Sequence, residues 1–278
     1  MKIIDLSLTL SPVGPEHDQP KINYTHHKRG AFLLGLAGLL YKGRSLLDHA
    51  RSLFLYLTGR YRIKACQWPD GLGLAWEEVK MDTHAGTHLD APYHFGPTSE
   101  GKPARRIDEI PLEWCFSDGV LLDMRHKDPG SFITVDDIKE SLAKTSYRIK
   151  PYDIVLVMTG ADKFAKDKRY LTDYPGMSRE ATLYLIEQGV KIIGVDSVGF
   201  DRAWGTMFDE YIRTRDNSLL WPAHFAGRER EYCHMEKMAN LDKIPEPYGF
   251  KVACFPVKVE KASAGWCRAV AILEEENG

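Results

Sequence analysis

Tyr152-Asp153-Ile154-Val155-Leu156-Val157-Met158 closes on Thr159-Gly160, and Ser178-Arg179-Glu180-Ala181 then opens a stretch that runs through Gln188 to Gly189, ahead of Val190-Lys191-Ile192-Ile193-Gly194-Val195. The two apolar runs are short and bounded by turn residues, as buried strands are. Between them Ser178 supplies an N-cap and Gly189 a C-terminal stop, which predicts a helix. Working outward, Gly119-Val120-Leu121-Leu122-Asp123 reads as another buried strand, and Thr134 caps a helix carrying Ile138 and Leu142 on one side. Phe250 to Val259 and Arg268 to Leu273 read as two further strands, separated by Ala262-Ser263-Ala264-Gly265. Strands alternating with helices predict an α/β fold whose core is a mixed sheet covered by helices.

Toward the N-terminus, residues 2–9 alternate as a strand does, and the next strand pattern is Leu74 to Met81. The interval of about 60 residues is longer than an ordinary connection. The chain therefore reads as one domain over residues 1–278, with an insertion at about 20–70. Within the insertion, Ser45 caps a stretch in which Leu46, Leu47, Ala50, Leu53, Phe54 and Leu57 recur at helical spacing, ending near Gly59. That apolar face is expected to pack onto the core; the alternative is a lid or a dimer surface.

The 278 residues are 44% hydrophobic and 27% charged, enough apolar material for a real core, which excludes a disordered chain. Lys plus Arg (37) nearly balances Asp plus Glu (39), so no global field draws the chain to nucleic acid or to an anionic membrane. The apolar run Ala31 to Tyr41 is interrupted by Gly35 and Gly38 and is about half the ~20 residues a membrane span needs. The N-terminus lacks the basic region and long apolar core of a signal peptide, so a cytoplasmic location is expected. Five cysteines (Cys66, Cys115, Cys233, Cys254 and Cys267) with no C-x-x-C pair read as reduced thiols in packed positions.

Three of the ten histidines fall in His84-Ala85-Gly86-Thr87-His88-Leu89-Asp90-Ala91-Pro92-Tyr93-His94. Imidazole and carboxylate are ligands for zinc or manganese. Gly86 and Pro92 argue against a regular helix, whereas positions 84, 88, 90 and 94 share parity, so an extended or looped segment can present all four to one side. The alternative is a set of separately solvated histidines. A local set of three ligands needs partners from a distant element, and His224 and Glu236 stand out in Trp221-Pro222-Ala223-His224 and His234-Met235-Glu236. His234 competes for that role, and Glu236 could equally be a solvated helix residue. Asp82 and Thr87 are placed either to orient ligands or to cap turns. There is no Gly-x-Ser-x-Gly elbow and no phosphate-binding glycine loop.

The run His84-x-Gly-Thr-His88-x-Asp90-x-Pro-x-His94, with Glu236 ahead of Asn240-Leu241-Asp242, resembles the metal-dependent cyclase/hydrolase family that includes bacterial kynurenine formamidase and isatin hydrolase. The resemblance runs from Asp5-Leu6-Ser7 to the C-terminal strand, through Gly194-Val195-Asp196-Ser197, and leaves out the insertion. It implies a swivelling β/α/β domain with a mixed, partly closed sheet flanked by helices. It further implies a divalent metal, zinc or manganese, with His84, His88 and Asp90 binding a first ion and Asp90, His224 and Glu236 a second where one is occupied. His94 would transfer the proton. The implied activity is hydrolysis of a C–N bond (amide or lactam) or C–O bond (lactone) in a small cyclic or aryl substrate, through water acidified by the metal. A cyclase or dehydratase of natural-product biosynthesis would use the same residues, and a catalytically silent metal- or small-molecule-binding protein is the alternative outside enzymes. Expected partners are a small-molecule substrate and further copies of the chain, in a homodimer or larger homo-oligomer, with neither nucleic acid nor membrane. Tyr93, Phe95, Trp204 and Trp221 would suit a flat substrate, or serve the core.

Overall fold

The runs at 152–158 and 190–195 pair as neighbouring parallel strands, Ile154–Met158 and Ile192–Val195, in a nine-stranded sheet. The computed structural model describes residues 1–16, 19–40, 45–60 and 63–274; Tyr41 lies outside them. In chain order the strands of the main sheet are β1 (Lys2–Asp5), β2 (His88–Asp90), β3 (Phe116–Asp123), β4 (Ile154–Met158), β5 (Ile192–Val195), β6 (Cys233–Glu236), β7 (Phe250–Ala253), β8 (Ala264–Trp266) and β9 (Val270–Leu273). The helices are α1 (His27–Leu40), α2 (Leu46–Leu57), α3 (Pro92–Phe95), α4 (Val135–Thr145), α5 (Arg179–Glu187), α6 (Trp204–Thr214) and α7 (Pro222–Ala226). Across the sheet the order is β1-β9-β7-β3-β4-β5-β6-β2-β8. The β3-β4-β5-β6 block is parallel and the flanking pairs are antiparallel, giving a mixed sheet curled into a half-barrel.

Chain packing divides the protein into two compact units, Met1–Gln19 with Asp82–Gly278, and Pro20–Met81. In the first, every residue of β4 is buried, because both faces of the sheet are covered. Leu89, Leu121, Ile154, Leu156 and Met235 join one hydrophobic cluster, and Val120, Leu122, Val155, Val157 and Ile193 join the other. The second cluster includes the buried faces of α4 and α5. Thr134 and Asp137 close a capping box on α4, which buries Ile138 and Leu142. The Ser178 side chain accepts from Ala181 N at the start of α5, which buries Leu185 and Ile186.

Four details differ from expectation. The N-terminal strand is Lys2–Asp5, and that at Phe250 stops at Ala253. Ala264 and Gly265, expected within a separator, instead form β8 with Trp266 and pair with β2. Gly265 permits this, since a Cβ there would meet Val257 O at 2.6 Å. Cys66, expected in a packed position, is exposed, whereas Cys115, Cys233, Cys254 and Cys267 are buried.

In the second unit, Trp76–Lys80 pairs antiparallel with Lys21–Thr25, and α1 packs on α2. The apolar face of α2, expected on the core, is exposed: Leu46, Leu47, Leu53, Phe54 and Leu57 all face outward, and the buried residue is Ser52. No helix among the described residues is long and apolar enough to cross a membrane.

Candidate metal centre

The antiparallel pair of β2 and β6 sets the site. Its register puts Asp90 opposite His234 and His88 opposite Glu236. Residues two apart on a strand, and those directly paired across strands, share a face. Leu89 and Met235 therefore point into one core, and His88, Asp90, His234 and Glu236 point together to the other side.

Three local devices add further histidines. Asp82 accepts from His84 N at 3.0 Å and shapes a turn in which Gly86 adopts φ +63, a left-handed conformation costly for other residues. This brings His84 Nδ1 to 2.8 Å from Asp90 Oδ1. Pro92 starts the single-turn α3, which carries His94 back over the site, with its Nε2 3.9 Å from Asp90 Oδ2. In α7, His224 places Nε2 3.7 Å from Glu236 Oε1. His234 Nε2 lies 3.0 Å from Asp90 Oδ2 and 3.4 Å from Glu236 Oε1, and His88 Nε2 lies 3.3 Å from Asp90 Oδ1.

The structure thus brings together all six residues singled out in the sequence, His84, His88, Asp90, His94, His224 and Glu236, and adds His234, which the sequence left as a competitor. Ligand atoms converge in two overlapping sets that share Asp90: His84, His88 and Asp90, and Asp90, His224, His234 and Glu236. The signal for His234 was the alternation Cys233-His234-Met235-Glu236, which reads as a half-polar strand.

The hydrogen bonds behind these residues decide which nitrogen faces the centre. His88 Nδ1 donates to Gly86 O at 2.8 Å, and His224 Nδ1 donates to Asp201 Oδ2 at 2.6 Å. Tyr232 donates its one hydroxyl proton to Ala223 O, so that oxygen accepts from His234 Nδ1 at 3.1 Å. In a neutral imidazole, a protonated Nδ1 leaves a lone pair on Nε2. Three Nε2 lone pairs therefore face the oxygens of Asp90 and Glu236. His88 Nε2, His234 Nε2 and both Asp90 carboxylate oxygens are buried without a hydrogen-bond partner. Lone pairs converging on lone pairs are unfavourable unless a cation or a proton lies between them. The donor chemistry, imidazole with carboxylate and each ring anchored from behind, fits zinc or manganese.

The electrostatics point the same way. Burial opposes ionisation of Glu236, but the imidazoles of His234 and His224 hold its pKa down to about 2. Asp90 is likewise held well below the carboxylate range, against full burial, by His88, His234 and His84. Burial disfavours charge on His234, yet Asp90 and Glu236 raise its pKa to about 9, so with no ion between them the carboxylates draw a proton onto its Nε2, the same demand for positive charge at that point. His94 differs: burial, with the neighbouring histidines, outweighs Asp90 and lowers it to about 4, so its ring stays neutral. Its side chain is 32% exposed, at the mouth of the site.

Support comes from Thr87, offered by the sequence as a ligand-orienting or turn-capping residue, and from Lys237, Glu16 and Ser263, which the sequence did not single out. Lys237 Nζ donates to His84 O at 2.9 Å and pairs with Glu16, and Ser263 Oγ lies 3.1 Å from His84 Nε2. Thr87 Oγ1 donates to Lys237 O and accepts from Leu8 N, tying the motif to the strand end after Glu236.

The family model described as "Putative cyclase" matches residues 4–202. The isatin hydrolase of Roseibium aggregatum is 26% identical over 214 residues, 73% of this chain and 77% of that protein. The kynurenine formamidase of Erythrobacter litoralis is 27% identical over 192 residues, 69% of this chain and 74% of that protein. Among solved structures, isatin hydrolase A from Ralstonia solanacearum superposes with a TM-score of 0.69 at 22% identity, covering 98% of this chain and 92% of that one.

Proposed function

Because the chain belongs to the Cyclase family, we propose that it is a metal-dependent hydrolase that opens the C–N bond of an amide or lactam, or the C–O bond of a lactone, in a small cyclic or aryl substrate. The observation that carries this is the convergence of three Nε2 lone pairs on two buried carboxylates, with four of those atoms left without a hydrogen-bond partner. Curated relatives named isatin hydrolase and kynurenine formamidase support the substrate class.

His84, His88 and Asp90 would hold one zinc or manganese ion, and Asp90, His224, His234 and Glu236 a second position. When bound, such an ion supplies Lewis acidity, acidifying water to a pKa of about 7 and polarising a carbonyl oxygen. The chain's own residues do the rest. Asp90 and Glu236 stay ionised and balance the cationic charge. Asp201, Tyr232 and Gly86 fix the ring orientations of His224, His234 and His88. His94 is neutral, partly exposed and beside Asp90, so its Nε2 is free to take a proton from the attacking water and return it to the leaving nitrogen or oxygen.

The test is hydrolysis of isatin, N-formylkynurenine and an aryl lactone, followed by absorbance before and after chelation with dipicolinate and reloading with zinc or manganese. Ring opening or deformylation that is lost on chelation and restored by one of the ions is expected. Undiminished turnover by protein shown to be metal-free overturns the reading, and ring closure in place of opening transfers it to the cyclase alternative.

A further inference from the structure

Among the residues of the first ligand set, His84 is the least enclosed. His88 and Asp90 lie on β2, whereas His84 sits in the turn before that strand, and its side chain is 28% exposed. It also differs in the atom it presents. His88, His224 and His234 aim Nε2 at the carboxylates, but His84 aims Nδ1, 2.8 Å from Asp90 Oδ1, while its Nε2 meets Ser263 Oγ at 3.1 Å. Nδ1 is one bond nearer the backbone than Nε2, so rotating the ring makes up less of any displacement of the main chain. Where this ligand atom sits therefore depends on what holds the main chain of residue 84.

Two side chains hold it. Asp82 accepts from His84 N at 3.0 Å within the turn, and Lys237, the residue that follows β6, donates from Nζ to His84 O at 2.9 Å. Lys237 has φ +58, a left-handed conformation that residues other than glycine seldom adopt. Its side chain is 8% exposed. An ammonium taken out of water needs partners, and here they are the His84 carbonyl and the carboxylate of Glu16. Residues 8–16 pass over the same turn: Leu8 N donates to Thr87 Oγ1 at 2.9 Å, and a Cβ on Gly86 would meet Leu10 Cδ2 at 2.4 Å.

We infer that Lys237, steadied by Glu16, is a positioning residue for the first ion. It sets His84 through the backbone carbonyl and leaves the second position, Asp90, His224, His234 and Glu236, to its own anchors. Lys237 can act in this way only if the metal-binding reading of the centre holds. Its main-chain bonds, N to Ser197 O and O from Thr87 Oγ1, do not involve its side chain. Lys237→Met therefore removes the ammonium and keeps them.

The test is a zinc titration of metal-free protein, prepared with dipicolinate, in competition with a chromogenic zinc indicator. His224→Ala leaves the first position to be read and His84→Ala leaves the second, and each is compared with the same protein carrying Lys237→Met. In the His224→Ala background Lys237→Met should weaken zinc binding about tenfold. In the His84→Ala background it should change binding by less than about twofold, because the group it positions is gone. Unchanged binding in the His224→Ala background overturns the role. Equal weakening in both backgrounds makes Lys237 a general support of the fold and overturns it as well. Should Lys237→Met fail to fold, Glu16→Ala takes its place, with at least about threefold weakening expected in the first background and none in the second; equal effects overturn the role. A wild type that takes up no zinc overturns the metal reading itself, and a His224→Ala protein that takes up none overturns the first position and this role with it.

Discussion

Asp90 and His234 stand directly opposite one another across the β2–β6 pair, with Nε2 of the histidine 3.0 Å from Oδ2 of the aspartate. Asp90 also lies 2.8 Å from His84 Nδ1 and 3.3 Å from His88 Nε2 through its other oxygen. One buried carboxylate is therefore common to both ligand sets, and its charge is what both depend on.

Asp90→Asn keeps the shape of the side chain and removes that charge. The variant should fold, since its neighbours on β2 pack unchanged, and should bind at least about tenfold less zinc or manganese. Elemental analysis of wild type and variant purified side by side checks this, and equal metal content would remove Asp90 from the ligand set.

Asp201 accepts from His224 Nδ1, His224 N and Ala223 N with its two oxygens. Asp201→Asn turns one of those acceptors into an N–H donor facing another donor, so His224 loses its anchored orientation. Metal affinity or turnover should drop roughly 10–100-fold, with the fold retained. A chelator competition titration measures the affinity, and wild-type values for both properties would show that His224 needs no anchor.

His94 lies at the mouth of the site and makes no contact with Glu236 of the kind His88, His224 and His234 make. His94→Gln should keep the bound metal and lose about 10²–10⁴-fold in kcat. Loss of metal together with rate would make His94 a ligand; full activity would take the proton-transfer role from it.

Asp196 is buried at the end of β5, and burial raises its pKa to about 6 despite hydrogen bonds from Thr159 and Gly160. A carboxyl whose folded pKa is raised contributes stability that is complete below its unfolded pKa and lost as pH climbs through the folded one. From about pH 4 to about pH 8, metal-free wild type should therefore lose up to about 3 kcal/mol relative to Asp196→Asn. Urea unfolding of both proteins across that range checks it, and a pH-independent difference would show that Asp196 titrates alike in both states.

Local chemistry carried much of this protein's organisation. Caps at Ser45, Thr134 and Ser178, apolar runs at 119–123, 154–158 and 192–195, and the shared parity of His84, His88, Asp90 and His94 all act within a few residues. They can therefore be read along the chain. His234 could not be assigned in that way, because its role depends on residues 233–236 being a strand laid antiparallel to 88–90 in one particular register. A slip of one residue would turn His234 and Glu236 to the face occupied by Leu89 and Met235. The direction of the apolar face of α2 is of the same kind: its periodicity requires that one side be apolar, but which neighbours cover which side is settled by packing between elements far apart in sequence. Hydrophobic periodicity specifies a face, whereas long-range pairing specifies what that face meets.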